Sequence, residues 1–180
     1  MEIAFLSKKE WMIPIIVMTH AVIIGLVWDN QAFSILSPLF ITIISIAKTI
    51  YLNLFSRNWL YRHLTYHHWP IERCLIHLTG IIILIVISYG LDYWSLHQTQ
   101  FNAFQGIFDH TDLDLHFFNF LYFSAVTFST VGFGDIAPAT VEAKTIVMTE
   151  IVSSFFMIIF IFSNFYNLKT DRSRYSGSNK

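Results

Sequence analysis

Four apolar runs, at residues 11–28, 32–55, 74–91 and 145–168, limit what this chain can fold into. Each is close to the ~20 residues that a helix needs to cross the hydrocarbon core of a bilayer. Within that core every backbone N–H and C=O must be paired by the chain itself, which predicts helices for runs of this length. Composition agrees, because 13% of the residues are charged against about 25% in soluble domains. A fifth apolar stretch, at 116–129, is too short to span and lies between the third and fourth runs. Such a segment survives at membrane depth only when it is buried in protein or lines water, which predicts a re-entrant helix. The first run follows Lys8 and Lys9, as a secretory signal would. It exceeds the ~7–15 apolar residues of such signals and is read as a retained span. A formal net charge of −1 leaves no basic footprint for nucleic acid. The single cysteine, Cys74, excludes an intrachain disulfide and any multi-cysteine metal site.

Charge sets the expected orientation. If the four spans alternate, Lys8, Lys9, Lys48, Arg57, Arg62, Arg73, Lys169, Arg172, Arg174 and Lys180 share one side, and only Lys144 falls on the other. The opposite side collects Asp29, Asp92, Asp109, Asp112, Asp114, Asp135 and Glu142. Positive residues mark the cytoplasmic face, so both termini are expected there, with the re-entrant segment entering from outside. Trp11, Trp28, Trp59, Tyr61, Tyr66 and Trp69 sit near span ends, where amphipathic rings favour the headgroup level. The connection at 56–70 reads as a short interfacial helix. Lys48, near the inner end of the second span, is expected to snorkel its ammonium to that interface.

The re-entrant segment continues into YFSAVTFSTVGFGD at 122–135, with Ile136, Ala137 and Pro138 following and Glu150 twelve residues past the proline. This resembles the pore helix and selectivity filter of tetrameric potassium channels, close to small prokaryotic and two-pore-domain channels. The resemblance covers about residues 74–166; the first two spans carry no comparable motif. Physics supports the same assignment, since a dehydrated cation needs a ring of oxygens and backbone carbonyls can supply one. Aiming successive carbonyls at one axis needs left-handed dihedrals, which Gly132 and Gly134 adopt without a Cβ penalty. The resemblance implies ion sites at the carbonyls of Thr130, Val131, Gly132 and Phe133 and the Thr130 hydroxyl, with Gly134 completing the filter. Val131 and Phe133 would pack the filter wall. One filter per chain implies a homotetramer. Asp135 would stand at the outer mouth and concentrate cations, and the pore helix would turn its negative C-terminal end toward the inner cavity.

The chain departs from the family pattern in two places. Phe133 stands where many members have tyrosine, removing a phenol that braces the filter, and Val126 stands where some carry a glutamate that pairs with the outer aspartate. In the fourth span Ser154 falls where many relatives have a hinge glycine, with Ser153 before it. It could weaken the helix there or turn its hydroxyl to a neighbouring helix. Ile158, Phe162 and Tyr166 share one face at four-residue spacing, as a dewetting gate or as ordinary bundle packing. Glu150, ionisable within a span, matches the family's glutamate and is expected to brace the back of the pore helix.

Eight histidines raise a rival reading. His63, His67 and His68 have the spacing of one histidine box of a membrane di-iron desaturase, but His20, His77, His97, His110 and His116 are scattered and supply no further box. His63 and His67 could hold zinc, although a pair lacks the three or four ligands usual for it. His97, His110 and His116, in or beside the long outer segment, are candidates for sensing external pH. Phe101, Phe104 and Phe108 suggest a folded cap over the outer mouth. A filter-like segment is also compatible with a weakly selective cation channel, whereas its intact form argues against a non-conducting regulatory subunit. A potassium-uptake transporter would carry four pore repeats in one chain.

The expected fold is therefore an all-α membrane protein with four transmembrane helices, a re-entrant pore helix and a filter loop per subunit, assembled as a tetramer. Residues 1–70 form a helical pair with an interfacial linker, 71–168 the pore domain and 169–180 a short cytoplasmic tail. Within the pore domain the outer helix is 71–91, the turret 92–115, the pore helix 116–129, the filter 130–135 and the inner helix 141–168. The expected function is passive, potassium-selective conduction across the plasma membrane, or the inner membrane of a bacterium. No catalysis is implied, and no cofactor or transition metal beyond permeant K+. The partners are potassium ions, lipid and further copies of the chain. No row of arginines marks a voltage sensor, and the short tail is not read as a ligand-binding domain.

Overall fold

The computed structural model describes residues 37–65, 71–100, 102–107 and 113–176. The order is α1 (Ser37–Thr65), α2 (Ile71–Thr99), β1 (Phe104–Gln105), α3 (Leu113–Phe128), β2 (Ala137–Pro138) and α4 (Val141–Ser176). Among the described residues three segments are long and apolar enough to cross a bilayer: Pro38–Asn58, Leu75–Thr99 and Val141–Ser163. They correspond to the second, third and fourth expected spans. The first expected span, at 11–28, lies outside the described residues, as do His20, His67, His110, Phe101 and Phe108.

Two boundaries differ from the sequence reading. The outer helix was expected to end at 91, at the first acid, yet α2 continues to Thr99. Asp92 does not mark an exit into water, because it is buried and ion-paired with Lys48 of α1. With that charge compensated, Tyr93, Leu96 and His97 also turn inward, and the helix keeps its packed face for two more turns. The segment at 56–65 is not a separate interfacial helix, since the backbone of α1 runs through it unbroken.

Hydrophobicity alone gives helices in lipid little reason to associate, because lipid tails are as apolar as leucine; packing and hydrogen bonds must hold them. Both are present. On α2, Ile85, Ser88, Tyr89, Asp92, Tyr93 and Leu96 are buried at three- and four-residue spacing, the signature of a single helix face. Helix α3 lies against α2, and α1 packs on both α2 and α4. Between α2 and α3 the rings interlock: Phe104 packs edge-on against Tyr93 and Phe120 at 5.4 and 5.2 Å, and Tyr93 meets Phe123 at 5.1 Å. Phe104 is thus a core residue beneath the outer loop, not part of a cap above it. Some hydroxyls inside the spans are satisfied by their own helices, as Thr42 donates to the Pro38 carbonyl and Ser56 to that of Leu52; others reach across, as Ser45 does to Asp92. Helix α4 starts at a threonine cap, with the Thr140 hydroxyl accepting from the Ala143 N–H at 3.3 Å and Glu142 in the first turn, where an acid is favoured.

Candidate functional site: the filter loop and its supports

The site begins where α3 ends. The Thr130 N–H bonds the Thr127 carbonyl at 2.9 Å and the Val131 N–H bonds the Val126 carbonyl at 3.1 Å. Those two bonds define a Schellman ending, which places the residue after the helix in the left-handed region. That residue is Thr130, with φ 60°. Glycine is usual there, and a β-branched residue in this region costs about 1–2 kcal/mol. Positive φ recurs at Gly132 and Gly134, at 56° and 80°, and not at Val131 or Phe133. Alternate residues of 130–134 thus take opposite hands, the pattern that turns successive carbonyls to one side. The two glycines were expected to do this; Thr130 was not, because its conformation comes from the helix cap, not from its own side chain.

The loop has no cover from its own chain. Residues 129–135 are all exposed, and nothing described lies within 4 Å of a Cβ built on Gly132 or Gly134. Val131 and Phe133, expected in the filter wall, are 56% and 69% exposed.

Three supports hold the loop from behind. Glu150, on α4 and fully buried, accepts from the Ser124 hydroxyl of α3 at 2.6 Å and from the Tyr93 hydroxyl of α2. One carboxylate therefore joins α2, α3 and α4. Ser154, on the same helix and also buried, donates to the Phe128 carbonyl at 2.5 Å, at the end of α3. Of its two sequence readings, the structure places the hydroxyl against a neighbouring helix. Beside it, Ser153 pairs with Asn53 of α1 at 3.0 Å. The third support is the outer loop, where Phe104 pairs with Pro138 and Gln105 with Ala137, so the segment before α3 is laced to the residues leaving the filter. Next to that ladder Gly106 has φ 86°, and an added Cβ would lie 1.8 Å from the Asp135 carbonyl oxygen. Sequence reasoning missed Gly106; an isolated glycine between polar and apolar residues signals only a turn.

Asp135 is exposed at the outer end of the loop. A phenol does reach this end of the loop, from α3, because the Tyr122 hydroxyl donates to the Asp135 carboxylate. That bond, then burial, then the carboxylate charge hold the phenol above its usual range. A raised folded value means the brace is intact below the ordinary tyrosine range near 10 and is lost only as pH climbs through the higher folded value. Tyr122→Phe should therefore loosen the outer mouth at neutral pH, read as faster loss of current during sustained opening. Wild-type protein should match the variant only in strong alkali. Equal decay of the two proteins at neutral pH would remove this role.

The remaining candidates are placed less centrally. Ile158 and Phe162 are exposed along α4, at 39% and 73%; Tyr166 lies in α4 but its side chain is outside the described residues. His97 is buried against Phe120, ring centroids 5.2 Å apart, and so is no open outer-surface group. The side chains of His63 and His116 are outside the described residues. Among the described residues no three His, Cys, Asp or Glu side chains gather as metal ligands would.

A family model described as "Ion channel" matches residues 76–170, more than half of the chain. The chain belongs to this ion-channel family. The matched region of the channel runs from the start of the second described span through α3, the filter loop and α4, and leaves α1 outside. Its curated relatives are named as potassium channels. Two-pore potassium channel 4 of Arabidopsis thaliana is 39% identical over 75 residues, 41% of this chain and 24% of that protein. Two-pore potassium channel 5 of the same plant is 26% identical over 102 residues, 57% of this chain and 23% of that protein. The potassium channel protein kcv of Paramecium bursaria Chlorella virus 1 is 49% identical over 39 residues, 22% of this chain and 42% of the viral one. The channel thus spans about a quarter of each plant relative and less than half of the viral one. No solved structure matches it.

Proposed function

We propose that this chain is one subunit of a potassium-selective channel, whose filter is the backbone of Thr130, Val131, Gly132, Phe133 and Gly134 from four copies around one axis. One observation carries the reading: alternate residues of that segment hold left-handed φ directly after a capped pore helix. Carbonyls aligned in this way can replace the hydration shell of a potassium ion, and several ions in file offset tight binding by mutual repulsion. Assembly follows from what is left uncovered. The loop is exposed on every residue, and a single strand of carbonyls offers an ion only a fraction of the oxygens it sheds. The exposed apolar face of α4, with Phe155, Ile158, Ile159 and Phe162, would then line the inner cavity and meet neighbouring copies. Ile158, Phe162 and Tyr166 form the candidate gate. Asp135, braced by Tyr122, draws cations to the outer mouth. The orientation that fits the charges puts the filter loop outside and both termini in the cytoplasm, in a plasma membrane or a bacterial inner membrane. The ion is cargo and no bond is made or broken. No described span carries the regularly spaced arginines of a voltage sensor.

Reversal potential in planar bilayers, under opposed potassium and sodium gradients, tests this reading. Reversal near the potassium equilibrium potential together with block by barium is the expected result. Reversal near zero would reduce the protein to a non-selective pore.

A further inference from the structure

A groove of about 650 Å³ runs between α1, which lies outside the family match, and α4, which lies within it. Its walls are Ile50, Leu54, Met148, Val152 and Phe156, all exposed in the chain. Polar residues contribute to its floor, but their groups are already engaged. Thr49 bonds the Ser45 carbonyl, Asn53 pairs with Ser153, and Thr149 bonds the Ile146 carbonyl. The floor therefore makes no demand for water, and the groove is apolar in effect. At one end stands Arg57, exposed and next to the last residue of the span Pro38–Asn58. Among the described residues no carboxylate pairs with it.

We propose that this groove binds an anionic phospholipid, with one acyl chain along the walls and the phosphate on Arg57. The dimensions suit that occupant. From Ile46 to Arg57 the helix rises about 16 Å, roughly half the ~30 Å hydrocarbon core and so the reach of one leaflet's acyl chain. The guanidinium falls at headgroup depth, where its planar fork grips phosphate oxygens. With no acid among the described residues paired with it to receive a choline or ethanolamine cation, a headgroup of net negative charge fits better than a zwitterionic one. The lipid would lie on Thr49, Asn53, Thr149 and Ser153, in contact with the residues that join α1 to the filter supports. This proposal rests on the chain residing in a membrane and not on its conducting potassium, so binding is measured directly.

The full chain, stripped of lipid in detergent, is titrated with dioleoyl phosphatidylglycerol or dioleoyl phosphatidylcholine and bound lipid is counted by native mass spectrometry. Retention of phosphatidylglycerol over phosphatidylcholine is expected. Arg57→Gln should weaken that retention about tenfold, the loss of one charge-assisted bond, and Val152→Trp should fill the groove and weaken both lipids. Arg57 is exposed, so its variant tests the site without burdening the fold. Equal binding of both lipids with no effect of Arg57→Gln would overturn the proposal. So would a disulfide between co-assembled subunits carrying Ile50→Cys and Val152→Cys in a Cys74→Ser background, because a second copy would then occupy the groove. Selective lipid binding by a protein that passes no potassium current would support the lipid site while removing the channel reading.

Discussion

Gly106→Ala is expected to abolish potassium-selective current in a protein that still inserts and assembles. Two effects act together at this position. The backbone φ of 86° is one that alanine adopts at a cost, and the new methyl would sit 1.8 Å from the Asp135 carbonyl oxygen. No rotamer relieves a Cβ clash, so backbone must move on one side or the other. The outer loop resists moving, because Phe104 two residues earlier is buried among Tyr93, Phe120 and Phe123, and Ala139 N–H bonds the Ala103 carbonyl at 2.8 Å. The filter exit is the softer side, being exposed from Ser129 to Asp135. Displacement there would cost about 2–4 kcal/mol, the scale of a strained backbone position and of a severe single substitution. Flux of a potassium tracer from liposomes, with the permeability ratio to sodium, reads the effect. Gly80→Ala is the control, since a Cβ there meets nothing within 4 Å and the site is mid-helix. Wild-type conductance and selectivity in Gly106→Ala would show that the loop does not hold the filter exit.

That contact also marks where sequence reading stops. The left-handed turns at Gly132 and Gly134 were legible because their signal is local: two glycines at alternate positions, a threonine before them and a short apolar helix upstream. Glu150 was legible because an ionisable group inside a span needs partners, although Tyr93 and Ser124 as those partners were not foreseeable. Gly106 was illegible because its requirement comes from a backbone oxygen 29 residues away in sequence. Thr130 misled for a related reason, since its left-handed φ is imposed by the carbonyls of Val126 and Thr127 that the helix leaves open. Hydropathy treated Asp92 as the end of a span and Lys48 as a residue escaping to the interface. Each judgement was reasonable for one charge alone. Both fail because the charges meet.

The meeting itself supplies the second large effect. Lys48 Nζ lies 2.5 Å from Asp92 Oδ2 and 3.1 Å from the Ser88 carbonyl, with both side chains buried. The ammonium was expected to reach toward the Asn58 end of the span. Side chains of a helix instead lean toward its N-terminus, which carries Lys48 toward Asp92. Ser45 donates to the same carboxylate oxygen at 2.7 Å, and the Tyr89 ring lies 5.7 Å from the ammonium. Lys48→Met should cost about 3–5 kcal/mol, because it strands Asp92 in a medium that cannot solvate it; Asp92→Asn should cost a similar amount by stranding the ammonium. The pair Lys48→Met with Asp92→Leu removes both charges and should recover most of that loss, since an apolar pair of similar volume can replace a buried ion pair without penalty. Thermal unfolding in detergent, taken as a double-mutant cycle, measures the coupling. The functional consequence follows from position. Helix α1 lies outside the matched channel region, while Thr49, next to Lys48, shares a hydrogen bond with Tyr89 at 2.5 Å, one turn from the Tyr93 that holds Glu150. Losing the pair should therefore loosen the filter supports as well as the bundle, with shortened openings in the single variants and longer ones restored in the double. Single variants as stable as the parent would mean that α1 is held by packing alone, and that the ion pair is not its attachment to the pore.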